Sequence, residues 1–277
     1  MPTLDHHQSN DFIKLLLIGE SKAGKTGGCA PLICDGYNHR ILDMDNGLDP
    51  LKTFVTRDCP GRLSSIEYRT LRDKYKATSG GPIVDGQPKA FVEALKMLDR
   101  WKYDDTDLGV PAEWGPDCVL IIDSLTLLAD AAFAWAEPIT PRGRSGEADK
   151  RATYGIAQNA IEKVLSLIKS ESFKTNVIVI SHIRYIDTEE GRRKGYPMAI
   201  GEALSPKIPR YFNSVALCET ISGGKRTIQT AATSTIDLAN PKPFEMKPRY
   251  PIETGLSDYF KVLRAPPKQA TTIRRIR

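Results

Sequence analysis

FIKLLLIGESKAGKT, residues 12–26, is the stretch on which the reading of the chain turns. Its first half is an apolar run ending on Gly19, the pattern of a strand buried on both faces. Its second half, Gly19-Glu20-Ser21-Lys22-Ala23-Gly24-Lys25-Thr26, matches G-x-x-x-x-G-K-[ST] between a strand and an expected helix. Each position has a physical task. Gly19 and Gly24 permit backbone angles and close approaches that a side chain would block. The loop amides and the helix N-terminus turn partial positive charge toward a triphosphate. Lys25 sets an ammonium against the outer phosphates, and the Thr26 hydroxyl offers an oxygen to a metal. ATP and Mg²⁺ are therefore the expected cofactors.

Two further acidic strand ends bear on this loop. CVLIID, residues 118–123, is the plainest buried strand in the chain. Lying beside the first strand, it would bring Asp123 to the metal through water. Asp123 or Ser124 could alternatively cap the apolar helix that follows. The segment Asp43-Met44-Asp45-Asn46-Gly47 places acid-x-acid at the end of another strand. One of these carboxylates could orient an attacking water, although Asp, Asn and Gly also favour a plain turn. The helix after Thr26 contains Gly27, Gly28 and Pro31, which predict a short or kinked element with no evident functional reason.

Outward from these motifs, strands are expected at 39–43, 66–71, 176–182, 215–221 and 227–230. Residues 72–87 read as a loop or small flap, and 138–150 as a loop rich in Pro, Gly and charge. Helices are expected over 88–102, with Phe91, Leu95, Leu98 and Trp101 at helical spacing, over 125–135, and over 151–170, with Ile156, Ile161, Val164, Leu165 and Ile168 on one side. The alternation predicts an α/β fold, a mostly parallel twisted sheet with helices on both faces. One domain over 12–264 would lie between a loose leader, 1–11, and a mobile basic tail, 265–277.

The chain of 277 residues is 40% hydrophobic, and no apolar run reaches the ~20 residues that cross a bilayer. With no basic-then-apolar leader, the cytoplasm is the expected location and no membrane partner is expected. The five cysteines, Cys29, Cys34, Cys59, Cys118 and Cys218, are odd in number and widely spaced, so reduced thiols are expected. Net charge is +5, yet residues 242–277 hold nine Lys or Arg against three acids. A neutral body with a basic end suits a polyanion partner.

The order of strand, phosphate loop, D-x-acid-x-G, strand with Asp-Ser, and strand with a polar pair resembles the RecA-type core. Within it, the chain is most similar to phage-encoded RecA-core ATPases that act in recombination by single-strand annealing. VIVISHI at 177–183, Gly201, Leu204-Ser205 before Ile208-Pro209, and GGKRTIQT at 223–230 add to the resemblance, which spans about 12–263. It implies ATP hydrolysis with Asp45 at the position of the water-activating carboxylate, usually Glu and one methylene longer. His182 would stand where the γ-phosphate sensor stands, a place recombinases often fill with Gln. Lys225 and Arg226 resemble basic residues that reach a neighbour's nucleotide across a filament or ring interface, which implies a homo-oligomer. The segment after His182 would carry DNA loops, with Arg184, Arg192, Arg193, Lys194, Lys207 and Arg210 interleaved with Tyr185, Tyr196 and Tyr211. Cations on phosphates and aromatics on bases suit single-stranded DNA. A single-strand-binding protein is a further expected partner, and a phage protein would work in the host cytoplasm. A hexameric helicase or loader on the same core stays open, as does a nucleotide-gated binding protein with little turnover. So does a small-molecule kinase with Arg142, Arg144 and Arg151 in a lid.

Overall fold

Strand β1 (Lys14–Gly19) is buried at every residue. Leu16 and Ile18 face one apolar layer, Leu15 and Leu17 the other. A strand alternating between two dry faces needs a strand on each side and helices above and below. The computed structural model describes residues 11–142, 148–188 and 191–266 and has that arrangement. After β1 come α1 (Ala30–Cys34), β2 (Asn38–Asp43), α2 (Asp49–Asp58), β3 (Ile66–Thr70), β4 (Tyr75–Thr78), β5 (Gly81–Val84) and α3 (Ala90–Asp99). Next are β6 (Lys102–Tyr103), β7 (Thr106–Asp107), β8 (Gly115–Asp123), α4 (Leu125–Ala136) and α5 (Lys150–Lys169). The chain continues through β9 (Thr175–Asp187), β10 (Arg193–Pro197), β11 (Ser214–Thr220), β12 (Arg226–Gln229), β13 (Arg249–Pro251) and α6 (Gly255–Arg264).

The main sheet runs β13-β12-β11-β1-β9-β8-β2-β3, parallel from β11 to β3 and antiparallel at the β12–β13 edge. Helices α3, α4 and α5 cover one face, and α1, α2 and α6 the other. β8 does not adjoin β1, contrary to the sequence reading: β9 lies between them. The order of strands in space is set by crossovers that leave no mark in local pattern. β9 also runs past His182 to Asp187 and pairs antiparallel with β10, forming a hairpin where loops were expected. Residues 72–87 contain the β4–β5 hairpin, a separate two-stranded sheet. On α3, Phe91, Leu98 and nearby Trp101 are buried, but Leu95 is exposed, since α3 is covered on one side only. Residues 1–10 and 267–277, nearly all of the expected leader and tail, lie outside the described residues, as does Arg144.

The glycines and proline after the phosphate loop have a packing reason. A Cβ on Gly27 would lie 2.7 Å from Phe54 Cε2 of α2, and one on Gly28 would lie 2.8 Å from Ile252 Cδ1 just after β13. Both neighbours press on the first turn, a 3-10 turn over Gly27–Cys29, so side chains are excluded there. Pro31 falls in the opening turn of the five-residue α1, where a missing N–H costs little.

Cys34 and Cys59 form a disulfide with Cα atoms 5.5 Å apart, which corrects the expectation of five reduced thiols. Packing of α1 against α2 brings together residues 25 apart in sequence, beyond the reach of spacing rules. Cys29, Cys118 and Cys218 are buried free thiols. Among the described residues, no helix is long and apolar enough to cross a membrane.

Because the disulfide closes a loop of about 25 residues, Cys34→Ser with Cys59→Ser should lower unfolding free energy by about 3 kcal/mol. Urea denaturation of parent and variant, with and without reductant, checks this: reductant should destabilise the parent alone.

Candidate active site

The parallel strands end together at one edge, and the phosphate loop crosses it. Lys22 (φ 65°) and Gly24 (φ 97°) adopt left-handed angles that curl the loop after Gly19. The Lys25 ammonium points back into that curl, donating to the Gly19 carbonyl at 3.0 Å and the Glu20 carbonyl at 2.7 Å. It is 6% exposed. Burial lowers its pKa, while the carboxylates of Asp123, Asp45 and Glu20 oppose that shift. Ala23 is buried under the loop, whereas Glu20, Ser21 and Lys22 are exposed around it.

Thr26 Oγ1 donates to Asp123 Oδ2 at 2.6 Å across the width of β9. Ser124 caps α4, its Oγ accepting from Leu127 N–H, so Asp123 is left free to face the loop. Burial pushes the Asp123 carboxyl up to about 6, helped by Asp45 and Asp43 and opposed by the Thr26 hydroxyl and Lys25. A hydroxyl and a carboxylate held this close, with two more carboxylates at hand, form a hard-oxygen donor set of the kind Mg²⁺ takes. Thr26 and Asp123 are the residues that could hold the ion.

The acid-x-acid pair divides its work. Asp43, 2% exposed, accepts from Thr70 Oγ1 at 2.8 Å and from Gly47 N–H at 3.3 Å, so it builds the turn. Asp45 faces the site instead. Its Oδ1 accepts from Ser124 Oγ at 2.9 Å, and its Oδ2 lies 3.7 Å from His182 Nε2. Burial raises the Asp45 carboxyl, but contacts with His182 and Ser124 outweigh it and hold the group below the ordinary carboxylate range.

The register pairs Gly19 with His182, so β9 delivers that side chain to the loop. His182 Nδ1 is 3.4 Å from Lys25 Nζ. An ammonium only donates, so Nδ1 is the acceptor and Nε2–H faces Asp45. Lys25, His182, Asp45 and Ser124 thus form one polar line across the strand ends.

The remaining sequence-derived residues are more scattered. Arg226 opens β12 beside β11 and lies on the phosphate loop of its own chain: a Cβ on Gly24 would meet Arg226 Cδ at 2.9 Å. Lys225 is exposed at the preceding hairpin, where its carbonyl accepts from Ile221 N–H. Arg184, Arg192, Arg193 and Lys194 gather on or beside the β9–β10 hairpin. Arg193 stacks 5.0 Å over the Tyr185 ring, and Lys194 pairs with Asp237 at 2.8 Å. Lys207 and Arg210 do not join them. Each lies 3.6 Å from Glu162 of α5, and the Arg210 carbonyl accepts from Lys169, at the end of α5 that leads into the start of β9. Nine residues of strand, roughly 30 Å, separate that start from Arg184. The six cations are neighbours in sequence but form two groups, four on or beside the hairpin and two on Glu162 of α5.

A cavity of about 1280 Å³ opens on the far side of α4 from the phosphate loop. Tyr75 and Ile83 of the β4–β5 hairpin, Phe133 and Asp130 of α4, Tyr154 of α5, and Arg184 are among its walls. Sequence reasoning missed Thr126, which touches both this cavity and β9. No motif marks it; only its place one turn after Asp123 could have drawn notice.

Fold and site together define a P-loop ATPase, with Lys25 buried in the loop and the Asp123 and Asp45 carboxylates across the strand ends from it. The chain belongs to the AAA domain family, whose pattern it matches over residues 11–240. No curated protein matches it. Among solved structures, it is similar to a prototypical ATPase from the type III secretion system of pathogenic bacteria, at 12% identity and a TM-score of 0.42. The match covers 74% of this chain and 51% of that one, about half its length.

Lys25→Ala should cut ATP turnover by about 100-fold or more, the scale for losing one preorganised charge at a reacting group; steady-state phosphate release measures it. Asp123 gives a pH dependence with two signs. Affinity for Mg²⁺ with nucleotide should fall as pH drops below about 6, where the carboxyl protonates. The unloaded protein should respond the other way. The folded pKa lies above the ordinary 3.8, so this group's stabilisation is complete below about pH 4 and is lost as pH rises through 6. Binding titrations and thermal melts over pH 4–8, with Asp123→Asn as control, separate the two trends.

Proposed function

We propose that this chain is an ATP- and Mg²⁺-dependent ATPase with a RecA-like core, of the phage-encoded type, acting on single-stranded DNA in recombination, annealing or replication. The observation that carries the reading is the path of β9. It brings His182 against Lys25 and Asp45 and then continues into a hairpin bearing Arg184, Tyr185 and Arg193. A strand that touches the phosphate end of a nucleotide and ends in cations and aromatics suits a link between hydrolysis and a stacked, charged strand.

In this reading the loop from Gly19 to Thr26 cradles the triphosphate, and Thr26 and Asp123 hold Mg²⁺. The metal supplies charge neutralisation on the phosphates. Asp45, kept ionised, accepts a hydrogen bond from the attacking water. His182 senses whether the γ-phosphate is there to draw Lys25 away from its Nδ1. Arg226, beside Gly24 of its own chain, serves its own nucleotide, and Lys225 on the hairpin reaches a neighbour in a homo-oligomer. The protein works in the cytoplasm of the host cell, where a single-strand-binding protein is its further partner.

ATPase rate titrated with single-stranded and duplex DNA at two salt concentrations tests the proposal. Single strands should stimulate turnover several-fold more than duplex, with affinity falling steeply as salt rises. Arg193→Ala should make the salt dependence shallower, by about 0.7 in slope for each phosphate left without its cation. Lys207→Ala and Arg210→Ala, whose side chains are engaged by Glu162 of α5, should leave DNA affinity within about twofold. A turnover rate indifferent to single strands at low salt would refute the reading.

A further inference from the structure

Thr126 lies in the first turn of α4, 5% exposed, three residues after Asp123. Its hydroxyl accepts the main-chain N–H of His182 at 3.1 Å and donates to the Met198 carbonyl at 2.9 Å. A threonine hydroxyl has one proton, and here that proton goes to Met198 while a lone pair takes His182. Met198 follows directly on β10, the returning arm of the hairpin, and its N–H donates to the His182 carbonyl at 2.7 Å. One side chain therefore joins α4, the His182 position of β9 and the foot of the hairpin.

Ser181, fully buried, gives this junction a second arrangement. Its Oγ lies 2.9 Å from the His182 carbonyl, 3.2 Å from the Met198 carbonyl and 3.4 Å from Thr126 Oγ1. The single Ser181 proton can thus go to the His182 carbonyl or to the Met198 carbonyl, whose second lone pair is open beside the bond from Thr126. In the first pattern the His182 carbonyl accepts from both Ser181 and the Met198 N–H, and in the second from the Met198 N–H alone. Two discrete hydrogen-bond patterns at one buried point are the kind of element both sites can bias.

The two sides of the junction face different ligands. Toward the nucleotide, the His182 ring stands between Lys25 and Asp45, and Asp45 is held by Ser124, two residues before Thr126. Away from it, Thr126 and Met198 line the large cavity with Arg184 and Tyr154. We propose that Thr126 is a positioning residue that couples a single strand seated in this cavity to the placement of His182 at the nucleotide. The inference rests on the functional reading above for the identity of that strand.

The test compares oligo(dT) affinity, by fluorescence anisotropy, with and without Mg²⁺ and a non-hydrolysable ATP analogue, in the parent, Thr126→Val and Thr126→Ser. The parent should show a nucleotide-dependent change in affinity of roughly fivefold or more. Thr126→Val, which keeps shape and loses the hydroxyl, should collapse that ratio toward one, and Thr126→Ser should restore it. A Val variant that keeps the parent's ratio overturns the coupling role while leaving DNA binding itself intact. A parent that binds no oligonucleotide in either state overturns the functional reading and this one with it. Should the Val variant fail to fold, amide hydrogen exchange on the parent decides. Oligo(dT) should change exchange at His182 and Met198, and unaltered rates at both while oligo(dT) is bound overturn the proposal.

Discussion

The position of β9 between β1 and β8 is the constraint on which the rest of the active edge depends. It sets the phosphate loop and Asp123 two strands apart, roughly 10 Å in the sheet plane. Only the Thr26 hydroxyl, carried forward by the curl of the loop, closes that gap to 2.6 Å. The side chain that β9 presents between the loop and Asp123 is His182, in register with Gly19. Were β8 beside β1, the carboxylate would crowd the loop and no third strand would stand between them.

The electrostatics of this edge follow from burial. Lys25, Asp123, Asp43 and Asp45 lie together among strand ends where charge is poorly solvated, so each has to find partners. Lys25 takes two loop carbonyls, Asp43 takes Thr70 and a turn amide, and Asp45 takes Ser124 and His182. Asp123 is the least satisfied, with one hydroxyl for a nearly dry carboxylate, and its raised pKa is the physical sign of that deficit. The charge missing there is positive, which a divalent cation on the Thr26 and Asp123 oxygens would supply.

The far flank of the loop is held by packing. Phe54 and Ile252 press on Gly27 and Gly28, the disulfide ties the end of α1 to the end of α2, and Arg226 lies along Gly24. These contacts brace the short helix that anchors the cradle. The β4–β5 hairpin, a sheet of its own with every residue of β4 exposed, borders the large cavity, whereas the β9–β10 hairpin packs on the core through Ile183 and Gly195.

What the linear order of residues determined by itself was local chemistry. The apolar run to Gly19, the G-x-x-x-x-G-K-T turn and the acid ending CVLIID each carry their meaning within a few positions, because strand burial and phosphate recognition are short-range. Tertiary structure alone decided that β9 separates β1 from β8, that Asp43 builds a turn while Asp45 faces His182, and that Cys34 meets Cys59. It alone paired Lys207 and Arg210 with Glu162 of α5, away from the cations of the hairpin, and set Thr126 between His182 and Met198. Crossovers and interlayer packing bring together residues tens of positions apart, and no periodicity along the chain encodes which ones will meet.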